Sequence, residues 1–203
     1  MKLYYMPGAC SIAAHITLEW MGEPYEAQLV ARDALKQPAY LDINPMGAVP
    51  ALQDGDMTLT QNVAILEYLA ERAPQLQLLG DDTPQSRAQV RRWLAFINAD
   101  VHRTFSLIFG AARYTADEAA QAEIRTNAAA ALRNMFTILN TQLDGKQYLT
   151  GDKPTIADPY LYVVLRWAHA KEIDLSGLDN LSTFFARMQS DKGVQSALKA
   201  EGL

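Results

Sequence analysis

"AVPALQDGDMTLTQNVAILEYLAER", residues 48–72, decides the fold. The segment after Pro50 and "MTLT" (57–60) have the composition of two short strands, and "DGD" (54–56) is a turn between them. "NVAILEYLAER" (62–72) places apolar residues at helical spacing and predicts an amphipathic helix. The stretch therefore predicts a strand, a turn, a second strand and a helix.

The residues before this stretch add a β-α-β unit. "KLYY" (2–5) predicts a strand, and "SIAAHITLEWM" (11–21) predicts a helix that Gly22 and Pro24 terminate. "YEAQLV" (25–30) alternates apolar and polar residues and predicts another strand. Residues 1–76 should therefore form a mixed α/β domain.

The remainder of the chain is predicted to be all-helical. Residues 77–85 form a linker within a segment rich in proline, glycine and aspartate, and residues 86–203 lack strand patterns. Three long helices are expected over 85–109, 116–143 and 155–172, with shorter ones near 178–189 and 193–201. "TIAD" (155–158) matches a capping box at the start of a buried helix.

Composition excludes several classes of function. The 203 residues are 49% apolar, which suffices for a packed core, and no apolar run is long enough to span a membrane. The net charge is −5 and the basic residues are scattered, so nucleic acid is not an expected partner. Three histidines far apart do not indicate a metal site. Without an apolar targeting segment at the N-terminus, a cytoplasmic location is expected.

Cys10 is the single cysteine, and it follows "PGA" at the start of a predicted helix. Backbone N–H groups and the helix dipole at that position favour a thiolate, which is the nucleophilic form. A free cysteine can equally be a buried, inert apolar residue. A disulfide at Cys10 would need a thiol from outside the chain.

Three further positions are ambiguous from the residues alone. The Val49–Pro50 bond could be cis, although about 5% of such bonds are, so trans is the default. Asn62 fits a helix cap that could also receive a carboxylate. His102 lies within a long predicted helix, where a structural role is more common than a catalytic one.

Taken in order, the motifs resemble those of bacterial beta-class glutathione transferases. The resemblance covers the whole chain and rests on "PGACS", "NPMGAVPAL", "LTQNVAILEYLAE", "WLAFINADVHRTF" and "GDKPTIADPYLYVVLRWA". It implies a thioredoxin-like N-terminal domain, an all-helical C-terminal domain, a homodimer, and glutathione as co-substrate.

The resemblance also implies roles for individual residues. Cys10 would approach the glutathione sulfur and form a mixed disulfide with it, and His102 would face the same site as a second catalytic residue. Val49 would pair with glutathione through its backbone, ahead of a cis Pro50. The implied glutathione site comprises Tyr5, Cys10, Lys36, Val49, Pro50, Gln61, Asn62, His102 and Arg103. Gln61 and Asn62 replace the Glu-Ser pair of many members, which leaves the γ-glutamyl contact without a charge.

The predicted activity is transfer of the glutathione thiol to hydrophobic electrophiles, with thiol–disulfide exchange through Cys10. A small electrophile would bind against aromatic residues between the domains, namely Phe105, Phe109, Tyr114 and Trp167. The alternative is a non-catalytic module of the same fold that binds glutathione, another ligand or a protein partner.

Overall fold

The computed structural model describes residues 1–81 and 83–203, and the first domain is built on a four-stranded sheet. Its strands are β1 (Lys2–Tyr5), β2 (Glu26–Leu29), β3 (Ala51–Asp54) and β4 (Met57–Thr60), in the order β2-β1-β3-β4. β1 is parallel to β2 and antiparallel to β3, and β3 is antiparallel to β4. The strands predicted from alternation and from the turn at 54–56 are confirmed.

Two helices cover one face of this sheet. α1 (Ile12–Met21) connects β1 to β2 and ends where Gly22 adopts a left-handed conformation with φ 67°. A short α2 (Pro38–Leu41) was not predicted, and α3 (Asn62–Arg72) follows β4. Because side chains alternate along a strand, Leu3 and Tyr5 of β1 point into the core beneath α1 and α3.

The second domain is mainly helical in its described part, with one isolated β-bridge between Tyr148 and Gly151. Its helices are α4 (Pro84–Phe96), α5 (Arg103–Gly110), α6 (Glu118–Gln142), α7 (Ala157–Ala170), α8 (Asp179–Ser190) and α9 (Lys192–Glu201). A π-helical segment, Ile97–His102, joins α4 to α5, so the long helix predicted over 85–109 is continuous but contains a wider turn. The first helix begins at Pro84, inside the predicted linker, and Asp82 of that linker lies outside the described residues.

The predicted capping box forms at the start of α7 with one difference. Asp158 is fully buried, and its carboxylate accepts hydrogen bonds from the Thr155 N–H at 2.7 Å and the Leu149 N–H at 2.9 Å. The Thr155 hydroxyl donates to the same carboxylate at 2.9 Å instead of accepting from the helix. Burial raises the pKa of Asp158 to about 6, while these donors oppose the rise. One carboxylate thus fixes both the helix start and the preceding loop.

The C-terminal helix is bound to the first domain through buried polar groups. Glu201 in α9 lies 3.0 Å from Nδ1 of His15 in α1, and both side chains are fully buried. The other Glu201 oxygen accepts the Gly8 N–H at 3.3 Å. The end of the chain therefore supports the loop that precedes Cys10.

Within residues 1–81 and 83–203, no helix is long and apolar enough to cross a membrane. The same residues contain no cluster of three or more side chains arranged to bind a metal ion.

Candidate active site at the domain junction

Cys10 lies in the turn between β1 and α1, two residues before the helix begins at Ile12. The side chain is buried, and its thiol donates a hydrogen bond to the Val49 carbonyl at 3.5 Å. The fold thus brings together two predicted site residues from the loops before α1 and β3. Gly8, with φ 77°, provides the left-handed turn that returns the chain toward α1.

Burial of the Cys10 thiol favours its protonated form. Burial raises its pKa to about 12, although the backbone N–H groups of Cys10 and Ser11 oppose the rise. The expectation of a lowered pKa is therefore wrong for this state. Removing the sulfur from water penalises its charged form more than donors at the helix start stabilise it.

The loop before β3 contains a cis Val49–Pro50 bond. The resemblance implied this bond, although most peptide bonds that precede proline are trans. Lys36 contacts this loop, because its ammonium donates to the Met46 carbonyl at 2.8 Å. Gly47 has φ 55°, and a Cβ there would lie 2.5 Å from the Leu35 carbonyl oxygen. Lys36 is thus near the loop, while its contact with glutathione stays a prediction.

Asn62 is a buried polar side chain whose hydrogen-bonding groups are poorly satisfied. It is 6% exposed, and among the described residues neither its Nδ2 nor its Oδ1 makes a hydrogen bond of normal geometry, although the amide approaches the Tyr160 hydroxyl closely enough to lower its pKa. Asn62 is the first residue of α3 and its side chain does not cap the helix, so that part of its prediction is wrong. Gln61 before it is exposed with φ 71°, a strained conformation that is common at functional sites.

His102 reaches the junction from the second domain. Its Nδ1 lies 2.5 Å from the Tyr160 hydroxyl, and burial lowers the pKa of its imidazole to about 4. Tyr160 donates in turn to Oδ1 of Asn98 at 3.0 Å. Tyr160 also faces the first domain, because the Cys10 sulfur raises the pKa of its hydroxyl and an approach of the Asn62 amide within hydrogen-bonding reach lowers it.

Tyr160 and Asn98 were not among the predicted site residues. Tyr160 was one apolar position of a helix expected to be buried, and its hydroxyl partners depend on tertiary packing. The π-helical turn that carries Asn98 and His102 has no pattern in the sequence, yet such turns occur often at functional sites.

Two other predicted glutathione contacts are less direct. Tyr5 is buried in the core of the first domain, and its hydroxyl donates to the Ala200 carbonyl at 3.4 Å. Arg103 is exposed beside His102, and its guanidinium makes no ion pair with a described carboxylate. Both assignments stay predictions.

Three of the four predicted electrophile contacts form one aromatic cluster. Trp167 lies 4.8 Å from His102, 5.5 Å from Phe105 and 5.4 Å from Phe109, measured between ring centroids. Its indole N–H donates to the Gly8 carbonyl at 2.8 Å, beside a cleft of about 550 Å³. Phe105 is fully buried, so it supports the cluster and does not line an open surface, a correction to its prediction. Tyr114 is 52% exposed and makes no ring contact with the other three.

A sheet of order β2-β1-β3-β4, with a thiol before α1 that contacts a cis-proline loop, and a helical domain after it, define a thioredoxin-like protein with an added helical domain. Residues 1–71 match the family model described as the glutathione S-transferase N-terminal domain, and residues 93–191 match the C-terminal domain. The chain therefore belongs to the glutathione S-transferase family. Glutathione is its co-substrate, and it is a glutathione transferase.

Similar proteins agree with this assignment. A Xanthomonas campestris protein named glutathione S-transferase GST-4.5 is 49% identical, and the match covers 100% of both chains. The structure of a glutathione S-transferase from Xylella fastidiosa is 47% identical with a TM-score of 0.96, covering 100% of this chain and 98% of that one.

A sphingomonad glutathione S-transferase complexed with glutathione is 35% identical with a TM-score of 0.88, covering 100% of both chains. The beta-class enzyme of Sphingomonas chungbukensis has the same identity, TM-score and coverage. The resemblance to the beta class is thereby confirmed.

Proposed function

We propose that the domain junction binds glutathione and transfers its thiol to small hydrophobic electrophiles. The observation that carries this proposal is the buried Asn62 amide, which makes no hydrogen bond of normal geometry with a described residue and lies near Tyr160, the partner of His102. A buried amide without partners is costly, and a bound carboxylate or amine would satisfy it. The γ-glutamyl group of glutathione supplies both.

Both domains contribute to the proposed binding of glutathione. Gln61 and Asn62 hold the γ-glutamyl end, and the backbone at Val49 pairs with the cysteinyl part. Lys36 attracts the glycyl carboxylate, and Arg103 adds positive charge on the opposite side. Tyr5 acts indirectly, because its hydroxyl ties β1 to the C-terminal helix.

The proposed reaction is a substitution at the glutathione sulfur. The sulfur attacks an electrophilic carbon, a carbon–sulfur bond forms, and a leaving group such as chloride departs with its electron pair. His102 is neutral, so a lone pair of its imidazole can accept a hydrogen bond from the thiol and take up the proton as the carbon–sulfur bond forms, while burial, which lowers its pKa to about 4, keeps it a weak base in the free protein. The protonated Cys10 thiol can donate a hydrogen bond to the sulfur as negative charge develops on it.

The electrophile is proposed to bind against Phe109 and Trp167, with Phe105 behind them and Tyr114 at the outer edge. Phe109 is 51% exposed and lies beside the His102 and Trp167 pair. Replacing Phe109 with alanine should raise the KM for 1-chloro-2,4-dinitrobenzene about tenfold, because apolar contact area is lost. The KM for glutathione should stay within twofold.

Steady-state kinetics with both substrates varied measures this difference. Ile138→Ala is the matched control, since Ile138 is an equally exposed apolar residue on α6. A Phe109→Ala enzyme with an unchanged KM for the electrophile would place the electrophile elsewhere.

We propose thiol–disulfide exchange through Cys10 as a second, slower activity. The Cys10 thiolate attacks one sulfur of glutathione disulfide, a Cys10–glutathione disulfide forms, and one glutathione thiolate leaves. With a pKa of about 12, the thiolate population rises about tenfold per pH unit through the neutral range. The rate of adduct formation should therefore increase from pH 7 to pH 9.5 without a plateau.

Intact mass spectrometry of the reduced protein, exposed to glutathione disulfide, follows the adduct. One glutathione should be added, a reductant should remove it, and Cys10→Ser should show none. A rate that levels off below pH 8 would mean that the site lowers the pKa of this thiol. An adduct on Cys10→Ser cannot be a Cys10 disulfide and would contradict the mechanism.

The comparisons do not favour the non-catalytic alternative, since the Xanthomonas campestris relative described above is named a glutathione S-transferase. Retention on immobilised glutathione without turnover of any electrophile or disulfide would support it.

We also propose a homodimer in the cytoplasm, on the strength of the resemblance and the sequence expectation. Sedimentation equilibrium should give twice the chain mass of 22.5 kDa, and a mass of one chain would contradict the dimer. Cell fractionation tests the location.

A further inference from the structure

The buried hydroxyl of Tyr160 connects the polar groups of the site. Tyr160 is fully buried in the first turns of α7, shortly after the Asp158 cap. Its hydroxyl contacts His102 Nδ1 at 2.5 Å and Asn98 Oδ1 at 3.0 Å, and it faces Cys10 and Asn62. Burial and the Cys10 sulfur both raise the pKa of Tyr160, so its hydroxyl keeps its proton.

Hydrogen-bond donors and acceptors can be counted at this hydroxyl. It has one proton, and it donates that proton to Oδ1 of Asn98. Toward His102 it can then only accept, so the Nδ1 of His102 must carry a proton. Because the imidazole is neutral, its Nε2 has a free lone pair.

Among the described residues, no side chain or backbone group competes with a ligand for a hydrogen bond to Nε2 of His102. No described residue makes a hydrogen bond with this nitrogen, and the ring is held edge-on by Trp167 at 4.8 Å and Tyr160 at 5.8 Å. The ring is therefore fixed in orientation by packing and in tautomer by one hydrogen bond.

We propose that Tyr160, anchored by Asn98, is a positioning residue that holds His102 as its Nδ1–H tautomer, so that Nε2 accepts the glutathione thiol proton. This inference rests on the proposed function, and it adds two residues to the site. Tyr160 acts through His102 and does not itself exchange a proton with glutathione. Asn98 acts one step further away by fixing the Tyr160 hydroxyl.

In the alternative arrangement, donor and acceptor are exchanged in both hydrogen bonds of the Tyr160 hydroxyl. If the Asn98 amide were rotated, its Nδ2 would donate to Tyr160, and Tyr160 would donate to His102 Nδ1. Nε2 would then carry the proton and could only donate. The two arrangements predict opposite tautomers, which nitrogen NMR of the imidazole distinguishes.

Tyr160→Phe is the main test, because phenylalanine keeps the buried ring and removes the oxygen. The kcat/KM for conjugation of glutathione to 1-chloro-2,4-dinitrobenzene should fall about 10- to 100-fold. The Kd of glutathione should change less than threefold. In ¹⁵N-labelled wild type, His102 should show the Nδ1–H pattern, and in Tyr160→Phe a mixture of tautomers.

Tyr162→Phe is the matched control. Tyr162 lies two residues further along the same helix and is also fully buried, but among the described residues its hydroxyl accepts only one long hydrogen bond, from Arg166 at 3.5 Å. This variant should keep the wild-type kcat/KM and the wild-type tautomer. An equal loss in both variants would mean that removing either buried hydroxyl disturbs α7, and it would overturn the specific role of Tyr160.

Two results would overturn the proposal directly. One is an Nε2–H tautomer for His102 in the wild type, and the other is an unchanged tautomer with unchanged kcat/KM in Tyr160→Phe. If Tyr160→Phe does not fold, Asn98→Ala is the second variant, and in it His102 should be a mixture of both tautomers. A single Nδ1–H tautomer of His102 in Asn98→Ala would contradict the proposal. The NMR measurement needs no turnover, so it separates failure of this inference from failure of the proposed function.

Discussion

Asp158→Ala should lower the free energy of unfolding by about 4 kcal/mol. The Asp158 carboxylate is fully buried and accepts hydrogen bonds from the Thr155 N–H, the Thr155 hydroxyl and the Leu149 N–H. Alanine would leave all three donors buried without an acceptor. It would also detach the loop at Leu149 from the start of α7.

Urea denaturation at pH 7.5 measures this loss, since Asp158 is then largely ionised and its full acceptor capacity is present. Asp152→Ala is the control, because Asp152 is an exposed carboxylate in the same loop, and its replacement should stay within about 0.5 kcal/mol of wild type. A loss of less than 1 kcal/mol in Asp158→Ala would mean that the cap does not organise α7.

The second large effect is on binding and is expected to be independent of stability. Asn62→Leu should weaken glutathione binding about 10- to 100-fold, because two hydrogen bonds to a charged ligand are lost. Stability should stay unchanged or rise by about 1 kcal/mol, since the buried amide makes no hydrogen bond of normal geometry with any residue that the structure describes.

Titration calorimetry gives the affinity, and urea denaturation gives the stability. Asn127→Ala is the control, because Asn127 is an exposed asparagine on α6 and should alter neither quantity. Weaker binding accompanied by a large loss of stability would assign Asn62 a structural role and would leave the γ-glutamyl contact unsupported.

The elements that the sequence predicts well depend on local patterns. β1, β2, β3 and β4 follow from strand composition, alternation and the turn at 54–56, and α7 follows from its apolar run behind Thr155 and Asp158. Each of these elements depends on the spacing of apolar side chains along one segment, or on a capping pattern that spans four residues. The cis bond at Pro50 came from the resemblance alone.

The features that sequence reasoning missed depend on distant contacts. The pKa of Cys10 is determined by how deeply the fold buries it, and a pattern that places a thiol at a helix start cannot show that depth. His15 and Glu201 are 186 positions apart and meet only because α9 packs against α1. Tyr160 looked like one more apolar position, since its role depends on the π-helical turn across from it.

The measurement that tests the central claim most directly is NMR detection of the Asn62 side-chain amide during a glutathione titration. Its resonances are identified by their absence in Asn62→Leu. If glutathione binds at the junction, the chemical shifts of these resonances should change together with those of the backbone amides of Cys10, Ser11 and Val49. All of these changes should reach a plateau at saturating glutathione. Saturable binding that leaves the Asn62 amide unmoved would contradict the account, because it would place glutathione away from Cys10 and His102.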